Sequence, residues 1–592
     1  MKFVSMMVKN FRNFADIKID LDNKNVIFGM NDSGKSNLLN ALRFVLDREI
    51  RSQGFTHSDY HKNDTSQTIE ITLELDLSDW VEDNEHANDS KLIISKIAGA
   101  RNCEESPDSF FIKLEGNYDE TELFGNPILS WGSRLDTLIP IPSRGETYDI
   151  DKIFRVVYIE PTIDLDKVFK RNKRLLFKEG KKSENDIRTE KEIIQNINDL
   201  NTNISSLEII GKVQTDLTKS YKLYRNEQLE IQLQSEVSIS GYMDNLTPYI
   251  KWNDDDNYYP TSGDGRKKLL SYALNNIISS QKFDKHILIY LIEEPENSLH
   301  RSMQLALSKQ LFTQEVYNYF FLTTHSAELL YEMDETQLVR ISNLNKGTGF
   351  SYHYIVPVEY KYLKKQLNKS LSQSIFYDEV LLVEGGSEYC LFEAVLNWIC
   401  PDYELLGKYL LQVDGISFSP YVNLYEGLGI TFYIKTDNDL KSKKGSKETF
   451  DVIGLNRCLT LIGEEKLKPV EIKLEEKLAP KKKKQKINNK KVELYEQYKD
   501  VITKFTEYNI YLSEIDLEND LFKIIPDELK KATGEDDPVS WLQKRKLYNM
   551  IEFNENLDEN ISNKILNGFE VLKKFIQITA SNELKGFVSD DQ

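Results

Sequence analysis

Residues Gly29 to Ser36 read Gly-Met-Asn-Asp-Ser-Gly-Lys-Ser and satisfy every fixed position of the phosphate-binding pattern G-x-x-x-x-G-K-[ST]. The flanking sequence supplies the context this pattern needs. Val26, Ile27 and Phe28 form a short apolar run suited to a buried strand. Leu38, Leu39, Leu42, Val45 and Leu46 then fall on one helical face. A strand, a glycine loop and a helix N-terminus together close backbone N–H groups around phosphate oxygens and add positive potential. Gly29, Asn31, Gly34, Lys35, Ser36 and Asn37 are the expected cradle. Lys35 is expected to reach the β- and γ-phosphates, and Ser36 to ligate Mg²⁺. The chain is therefore expected to bind a nucleoside triphosphate, ATP in the first instance.

At 592 residues the chain has room for two or more domains. A net charge of −19 argues against a protein that coats nucleic acid nonspecifically, but it leaves room for a local groove or a site that works through metal ions. No apolar run approaches the ~18 residues of a membrane span. Met1 to Phe14 lacks a signal-peptide core, and Cys103, Cys390, Cys400 and Cys458 are far apart without metal-type spacing. A cytoplasmic protein with no membrane partner is expected.

Along the chain, Met1 to Phe14 is expected to form a strand that hairpins into Ile17 to Leu21. Thr68 to Leu77 alternates as a half-exposed strand. Phe154 to Ile159 is another strand, ending at Glu160-Pro161. Ser183 to Gln234 reads as helical, with Ile193, Ile197, Leu200, Ile204 and Leu207 making a seam that packs on a partner subunit or on its own chain. Ser262 to Arg266 opens another helix. His286 to Ile292 is an unbroken apolar strand running into Glu293-Glu294-Pro295-Glu296, and Tyr319 to Leu322 is the next, ending at Thr323-Thr324-His325-Ser326. Strands alternating with helices imply an α/β fold with a mostly parallel sheet and ligands at the strand C-termini. Adjacent carboxylates at the end of a buried strand are costly unless they bind something. Glu293 is expected to hold the hydration shell of a metal ion, Glu294 to polarise an attacking water, and His325 to contact the γ-phosphate.

Asn10 to Phe14, the phosphate-binding loop, Ser262-Gly263-Asp264-Gly265, Ile292 to Glu296 and Thr324 to Ser326 resemble the ABC-type ATPase heads of RecF, SMC and OLD (overcoming lysogenization defect) proteins. The resemblance implies dimerisation, with Ser262 and Gly263 of one subunit capping the nucleotide of the other, and Asn297 to His300 as the D-loop. Two departures stand out. Glu160-Pro161 lacks the usual glutamine, and Glu293 replaces the usual aspartate. Both argue against rapid turnover and leave binding intact.

Leu381 to Val383 is a buried-strand pattern followed at once by Glu384-Gly385-Gly386-Ser387-Glu388. About fifty residues on, Ile434-Lys435-Thr436 ends in Asp437-Asn438-Asp439. Alternate residues of extended chain point the same way, so Asp437 and Asp439 are expected to share a cation. With Glu384 they make an oxygen-rich site for Mg²⁺ or Mn²⁺, of the kind phosphodiester chemistry uses. This set resembles the Toprim fold. The resemblance makes Glu384, Asp437 and Asp439 the catalytic core and adds Glu388 as a metal ligand. It also implies further carboxylates in Ser513 to Asp520, Asp516 first and then Glu518, although the same stretch reads as a capped helix start. Gln543 to Lys546 offers a cation for the reacting phosphate, Lys546 ahead of Lys544. The Lys481 to Lys491 run reads as a flexible solvated loop, with a phosphate-backbone contact as the alternative.

An ABC-type head joined to a Toprim domain resembles the OLD family over nearly the whole chain, and most closely the nuclease subunits of Gabija anti-phage systems. The implied layout is a head over 1–355 with a helical dimerisation insertion near 165–245, a linker helix over 356–376 and a Toprim nuclease domain over 377–592. The implied activity is Mg²⁺-dependent nicking of duplex DNA, restrained by nucleotide bound at the head. The implied partners are DNA, further copies of the chain as a dimer of heads and then a tetramer, and a UvrD-like helicase subunit. The rival reading is a RecF-type repair ATPase that binds DNA without cutting it.

Overall fold

The run Val26-Ile27-Phe28 forms strand Lys24–Phe28, an interior strand of a six-stranded sheet in the computed structural model. The structure describes residues 1–577 apart from 31–32, 82–84, 97–108, 146, 163–164, 166–182, 225–229, 231, 236–248, 252–255, 258, 261–262, 281–285, 343–347, 416, 447 and 475–478. The described chain forms two compact units. One comprises 1–159, 285–296 and 300 onward, and the other 160–284 and 297–299.

In the larger unit, the sheet runs in the order Phe154–Ile159, Ile287–Glu293, Phe320–Thr323, Lys24–Phe28, Thr336–Ser342, Thr348–Tyr354. All neighbours are parallel except the last pair. The parallel register sets Glu293 beside Thr323, and Thr323 beside Ile27, so the expected ligand-bearing strand ends lie side by side. A second six-stranded sheet contains the expected hairpin, Lys2–Phe11 with Phe14–Asp20, and the strand Ile69–Asp76. It also contains Ser109–Asp119 and Phe124–Gly132, which sequence reading did not single out. Helix Lys35–Leu46 touches strands of both sheets and buries Leu38, Leu39, Leu42, Val45 and Leu46, so its apolar face lies in the core the two sheets share.

The same unit carries a four-stranded, all-parallel sheet in the order Lys408–Gln412, Glu379–Val383, Thr431–Thr436, Ile510–Leu512. The helices Gly386–Ile399, Leu517–Ile524, Lys546–Asn554 and Glu559–Gly568 bury its apolar face. Helix Lys364–Ser374 is amphipathic, with Leu367, Asn368 and Leu371 buried. Asn368 Nδ2 donates to the carbonyls of Tyr331 and Met333, and its Oδ1 accepts from the Tyr354 hydroxyl. The Lys481–Lys491 run is not a loop. It lies in helix Pro480–Gln497, and Lys491 is buried, because an ion pair and a carbonyl receive its ammonium inside the fold. Cys390, Cys400 and Cys458 are free thiols, while Cys103 lies outside the described residues.

The smaller unit contains helices Glu184–Ser205, Glu208–Tyr224 and Asp264–Ser280. The first starts with a capping box in which Ser183 and Asp186 satisfy each other's free amides. The stretch expected to be helical to Gln234 breaks at Ser206-Leu207, the second helix is described over Glu208–Tyr224, and residues 232–234 are not helical. Of the seam residues, Leu200 and Leu207 are exposed, and Ile193, Ile197 and Ile204 are half-buried. Among the described residues no helix is long and apolar enough to cross a membrane.

Arg340, buried on strand Thr336–Ser342, pairs with Asp378 and donates from Nη1 to the carbonyls of Leu428 and Gly429 at 3.2 and 2.9 Å. This joins the phosphate-loop sheet to the four-stranded sheet. Replacing Arg340 with Ala leaves a carboxylate and two carbonyls without their cation. The expected loss is about 3 kcal/mol in the urea-unfolding transition; an unchanged midpoint would show that the pair contributes nothing.

Candidate functional site

The phosphate-binding loop keeps its shape through backbone that only glycine tolerates. Gly29 has φ 153°, and a Cβ there would lie 2.2 Å from the Ile341 carbonyl oxygen. Gly34 has φ 106°, and a Cβ there would meet Asn13 Nδ2 at 2.2 Å. The N-F-R-N-F segment braces the loop. Asn13 Nδ2 donates to the Ser33 carbonyl at 2.9 Å, Asn37 Nδ2 donates to Asn13 Oδ1 at 2.8 Å, and Arg12 Nη1 donates to Asn37 Oδ1 at 3.0 Å. Asn37, expected at the ligand, is thus engaged by the neighbouring hairpin. Lys35 is buried and its Nζ donates to the carbonyls of Gly29 and Met30, while Ser36 is exposed. Asn31 and Ser262 lie outside the described residues; Gly263 is exposed, immediately before helix Asp264–Ser280.

At the neighbouring strand ends, buried Glu293 accepts a hydrogen bond from the Tyr158 hydroxyl at 2.5 Å. Glu294 adopts φ 40°, and its carboxylate stands 3.8 Å from His325 Nε2. Burial, and then the charge of Lys35, pushes the His325 imidazole below its ordinary pKa. His325 is therefore neutral near pH 7, in the field of the phosphate-loop lysine. Sequence reading missed Tyr158 and Glu296. Glu296 Oε1 accepts from the His325 amide at 2.6 Å and from Thr324 Oγ1 at 2.9 Å, so it fixes the loop that carries His325.

The second constellation lies where the four-stranded sheet ends. Glu384 follows Val383, Asp437 follows Thr436, and Ser513 follows Leu512, all at the C-terminal edge of parallel neighbours. Glu388 sits in the first turn of helix Gly386–Ile399. Asp516 is the N-cap of helix Leu517–Ile524, accepting from the Asn519 amide, and Glu518 lies in that helix's first turn. The capped helix start and the acidic cluster are thus the same feature.

Asp437 is 7% exposed and Glu518 2%. Burial first, and then Glu388, pushes the Asp437 carboxyl well above the ordinary range. Burial raises Glu388 as well, with Glu384 adding to it, and raises Glu518, with Asp516 adding to it. Partial burial works against the charge of Lys546, but Glu518, Asp437, Glu388 and Asp439 outweigh it and hold the ammonium above its ordinary pKa. These groups therefore share one electrostatic field. Lys544 and Lys546 are both exposed, and Lys546 is the one whose charge acts on Glu388 and Glu518.

Four of the six acids have a side-chain partner. Asp437 accepts from Ser513 Oγ at 3.0 Å, and Ser513 accepts from Lys435, itself paired with Asp520. Asp439 pairs with Lys491 at 3.1 Å. Asp516 accepts from Gln543 Nε2 at 2.8 Å. Glu384 Oε1 accepts from Arg457 Nη2 at 2.8 Å, and its Oε2 from Arg457 Nη1 and from Thr436 Oγ1. The extended Asp-x-Asp segment expected from sequence is instead a turn: the Asp439 amide donates to the Asp437 carbonyl at 3.0 Å. Asn438 causes this, because its Nδ2 is drawn inward to the carbonyls of Lys491 and Glu514. Asp437 is buried and Asp439 half exposed.

Among the described residues no three acids, histidines or cysteines converge at liganding distance. The donor set nevertheless fits a hard divalent cation. It is all oxygen, and six carboxylates outnumber Arg457, Lys435, Lys491 and Lys546, the cations that face them. The surplus shows in the three carboxyls that burial and mutual repulsion push toward their neutral forms. Buried Asn438 Oδ1 also has no hydrogen-bond donor among the described residues.

Helix Ile453–Leu461 closes the site from one side. A Cβ on Gly454 would stand 2.3 Å from the Asp437 carbonyl oxygen. Gly454→Ala must push the helix off the Asp-x-Asp turn, and the expected cost is about 1–3 kcal/mol in denaturant unfolding. An unchanged transition would mean that the turn yields freely.

Residues 1–124 and 161–330 match the model of an AAA ATPase domain, and residues 375–439 match that of the TOPRIM domain of overcoming lysogenization defect protein-like proteins. The chain is 51% identical over 561 residues to the endonuclease GajA of Bacillus cereus strain VD045, an alignment covering 94% of this chain and 96% of that one. It is 25% identical over 297 residues to the endonuclease GajA of Bacillus cereus strain HuB5-5, covering 43% and 42%. It is 21% identical over 421 residues to the Old nuclease of Escherichia phage P2, covering 67% and 70%.

Proposed function

This chain belongs to the GajA family of endonucleases, which join an ATPase domain to a TOPRIM domain, and from that premise we propose that it nicks duplex DNA at the acidic site, with nucleotide at the phosphate-binding loop restraining cleavage. The observation that carries this reading is the cluster of buried carboxylates Glu388, Asp437 and Glu518 around Lys546, at the C-terminal edge of a parallel sheet. A fold retains such a surplus where a divalent cation and a phosphodiester offset it.

Glu384, Glu388, Asp437, Asp439, Asp516 and Glu518 are the candidate ligands, and Mg²⁺ is the ion proposed. When bound, divalent metal supplies an activated water and neutralises the leaving oxygen. The chain's own residues do the rest. Ser513 and Lys435 fix the orientation of Asp437. Asn438 holds the Asp-x-Asp turn closed against Glu514. Lys546, kept charged by the surrounding acids, is the cation proposed to hold the reacting phosphate.

At the head, Lys35, Ser36, Glu293, Glu294 and His325 are the proposed contacts to ATP and its metal, with Ser262 and Gly263 acting across a dimer of heads. Phe376 supports a link between the two sites. Its ring lies 5.8 Å from Phe28, at the start of the phosphate loop, and 6.5 Å from His325, three residues before strand Glu379–Val383 delivers Glu384. The wider proposal is a cytoplasmic anti-phage nuclease of the Gabija type, a tetramer built from head dimers and working with a UvrD-like helicase subunit.

Plasmid nicking with Mg²⁺ tests this reading. Wild type should nick, chelation should stop it, and Glu384→Ala should lower the rate at least about a hundredfold. ATP should slow the wild type and leave Lys35→Ala largely unaffected. Undiminished nicking by Glu384→Ala contradicts the assignment of the site. ATP-dependent DNA binding without strand breaks favours a RecF-type ATPase instead.

A further inference from the structure

Arg457 is a residue that neither the sequence patterns nor the proposed chemistry uses, yet it makes a bidentate cationic contact to an acid of the site. It lies one turn into helix Ile453–Leu461. The first residues of that helix hold the Asp-x-Asp turn: the amides of Ile453 and Gly454 donate to the Asp439 carbonyl at 2.8 and 3.1 Å. From the same helix the guanidinium reaches both oxygens of Glu384 and the Thr436 hydroxyl. Its outer face stands 5.8 Å from the Phe418 ring. One rigid element thus grips the Asp-x-Asp backbone and, through Arg457, the carboxylate on the neighbouring strand.

The other acids are held without a guanidinium. Asp437 takes one hydroxyl and Asp439 one ammonium, while Asp516 accepts only from neutral amides, the backbone and side-chain amides of Asn519 and the side-chain amide of Gln543. On Glu384, Oε2 accepts two hydrogen bonds and Oε1 one, so three of the four lone-pair positions of the carboxylate are used. A divalent cation approaching Glu384 meets a carboxylate already neutralised by a planar bidentate donor, and it meets a positive charge beside its destination.

We infer that Arg457 is the resting counter-cation of Glu384: it competes with divalent metal for that carboxylate and thereby sets the metal concentration at which the acidic site fills. The inference rests on the reading of this site as metal-dependent. Whether the guanidinium swings away or stays and repels the ion, its charge opposes metal binding. Arg457 is a positioning residue in this account, since it acts through Glu384 and not on the substrate. Its two contacts keep the carboxylate at the strand end.

A purely structural role predicts that losing Arg457 weakens metal binding. Competition predicts the opposite sign, and this makes the inference testable by binding alone. Mn²⁺ binding to the nucleotide-free full-length protein, followed by the electron paramagnetic resonance signal of free Mn²⁺, gives the readout. Asp437→Asn identifies the sites that belong to the acidic cluster as those it removes. In Arg457→Gln those sites should bind Mn²⁺ about tenfold more tightly than in wild type, even after discounting for solvent screening at a half-exposed pair. Arg457→Lys keeps the charge but loses the bidentate fork, and should bind about threefold more tightly; it serves as the test if the glutamine variant does not fold. Unchanged or weaker Mn²⁺ binding in either folded variant overturns the inference while leaving the metal site standing. Mn²⁺ binding unaltered by Asp437→Asn overturns the reading of the site itself, and the role of Arg457 with it.

Discussion

Burying several carboxylates at one point is among the costlier arrangements a fold can adopt, and the C-terminal half of this chain is organised around doing so. Three parallel strands end together and deliver Glu384, Asp437 and the segment running to Asp516. Two helices begin at the same place, so Glu388 in one first turn, and Asp516 and Glu518 at the start of the other, lie against positive helix termini. Arg457, Lys491 and Lys546 approach from three further helices. Even so the negative charge is not balanced, and Asp437, Glu388 and Glu518 are driven toward their neutral forms. A site with surplus negative charge for metal to neutralise suits ion-dependent phosphodiester cleavage.

The phosphate-loop half solves a different problem. It must hold backbone amides and one lysine in a conformation few residues can adopt, and it does so with Gly29, Gly34 and a brace from Arg12 and Asn13 of the first hairpin. The strand ends beside it carry Glu293, Glu294 and His325, and a single aromatic residue, Phe376, lies between Phe28 and His325 and the strand that leads to Glu384. Arg340 fastens the two sheets through Asp378 and two carbonyls. The geometry therefore supplies a short packed route between the phosphate-binding loop and the acidic cluster, within one compact unit.

Much of this was legible in sequence, for physical reasons that differ by element. The phosphate loop could be read because its chemistry fixes residue types at fixed spacing. Glu384 could be read because it follows an apolar run suited to a buried strand, and Asp437 because it opens an Asp-x-Asp pair at the end of another strand. What escaped depends on tertiary placement. Arg457 stands eighteen positions after Asp439 in an ordinary-looking helical stretch, and nothing local signals that it returns to Glu384. Lys491 was indistinguishable from the lysines before it, although it alone of that run is buried against Asp439. The Asp-x-Asp pair was read as extended because alternation is the default for chain leaving a strand. The side chain of Asn438, bonded to carbonyls contributed from over fifty and over seventy residues away, folds it into a turn. In the smaller unit the helical pattern was legible, but not the break at Ser206, which falls inside an uninterrupted apolar periodicity.

The central claim is that the carboxylate surplus at the sheet edge exists to hold divalent metal. Anomalous diffraction at the manganese edge, from nucleotide-free crystals soaked in Mn²⁺, addresses it directly. The account predicts anomalous density among Glu384, Glu388, Asp437 and Glu518. Density confined to the phosphate-binding loop at Ser36, with the acidic cluster empty at saturating Mn²⁺, would contradict it.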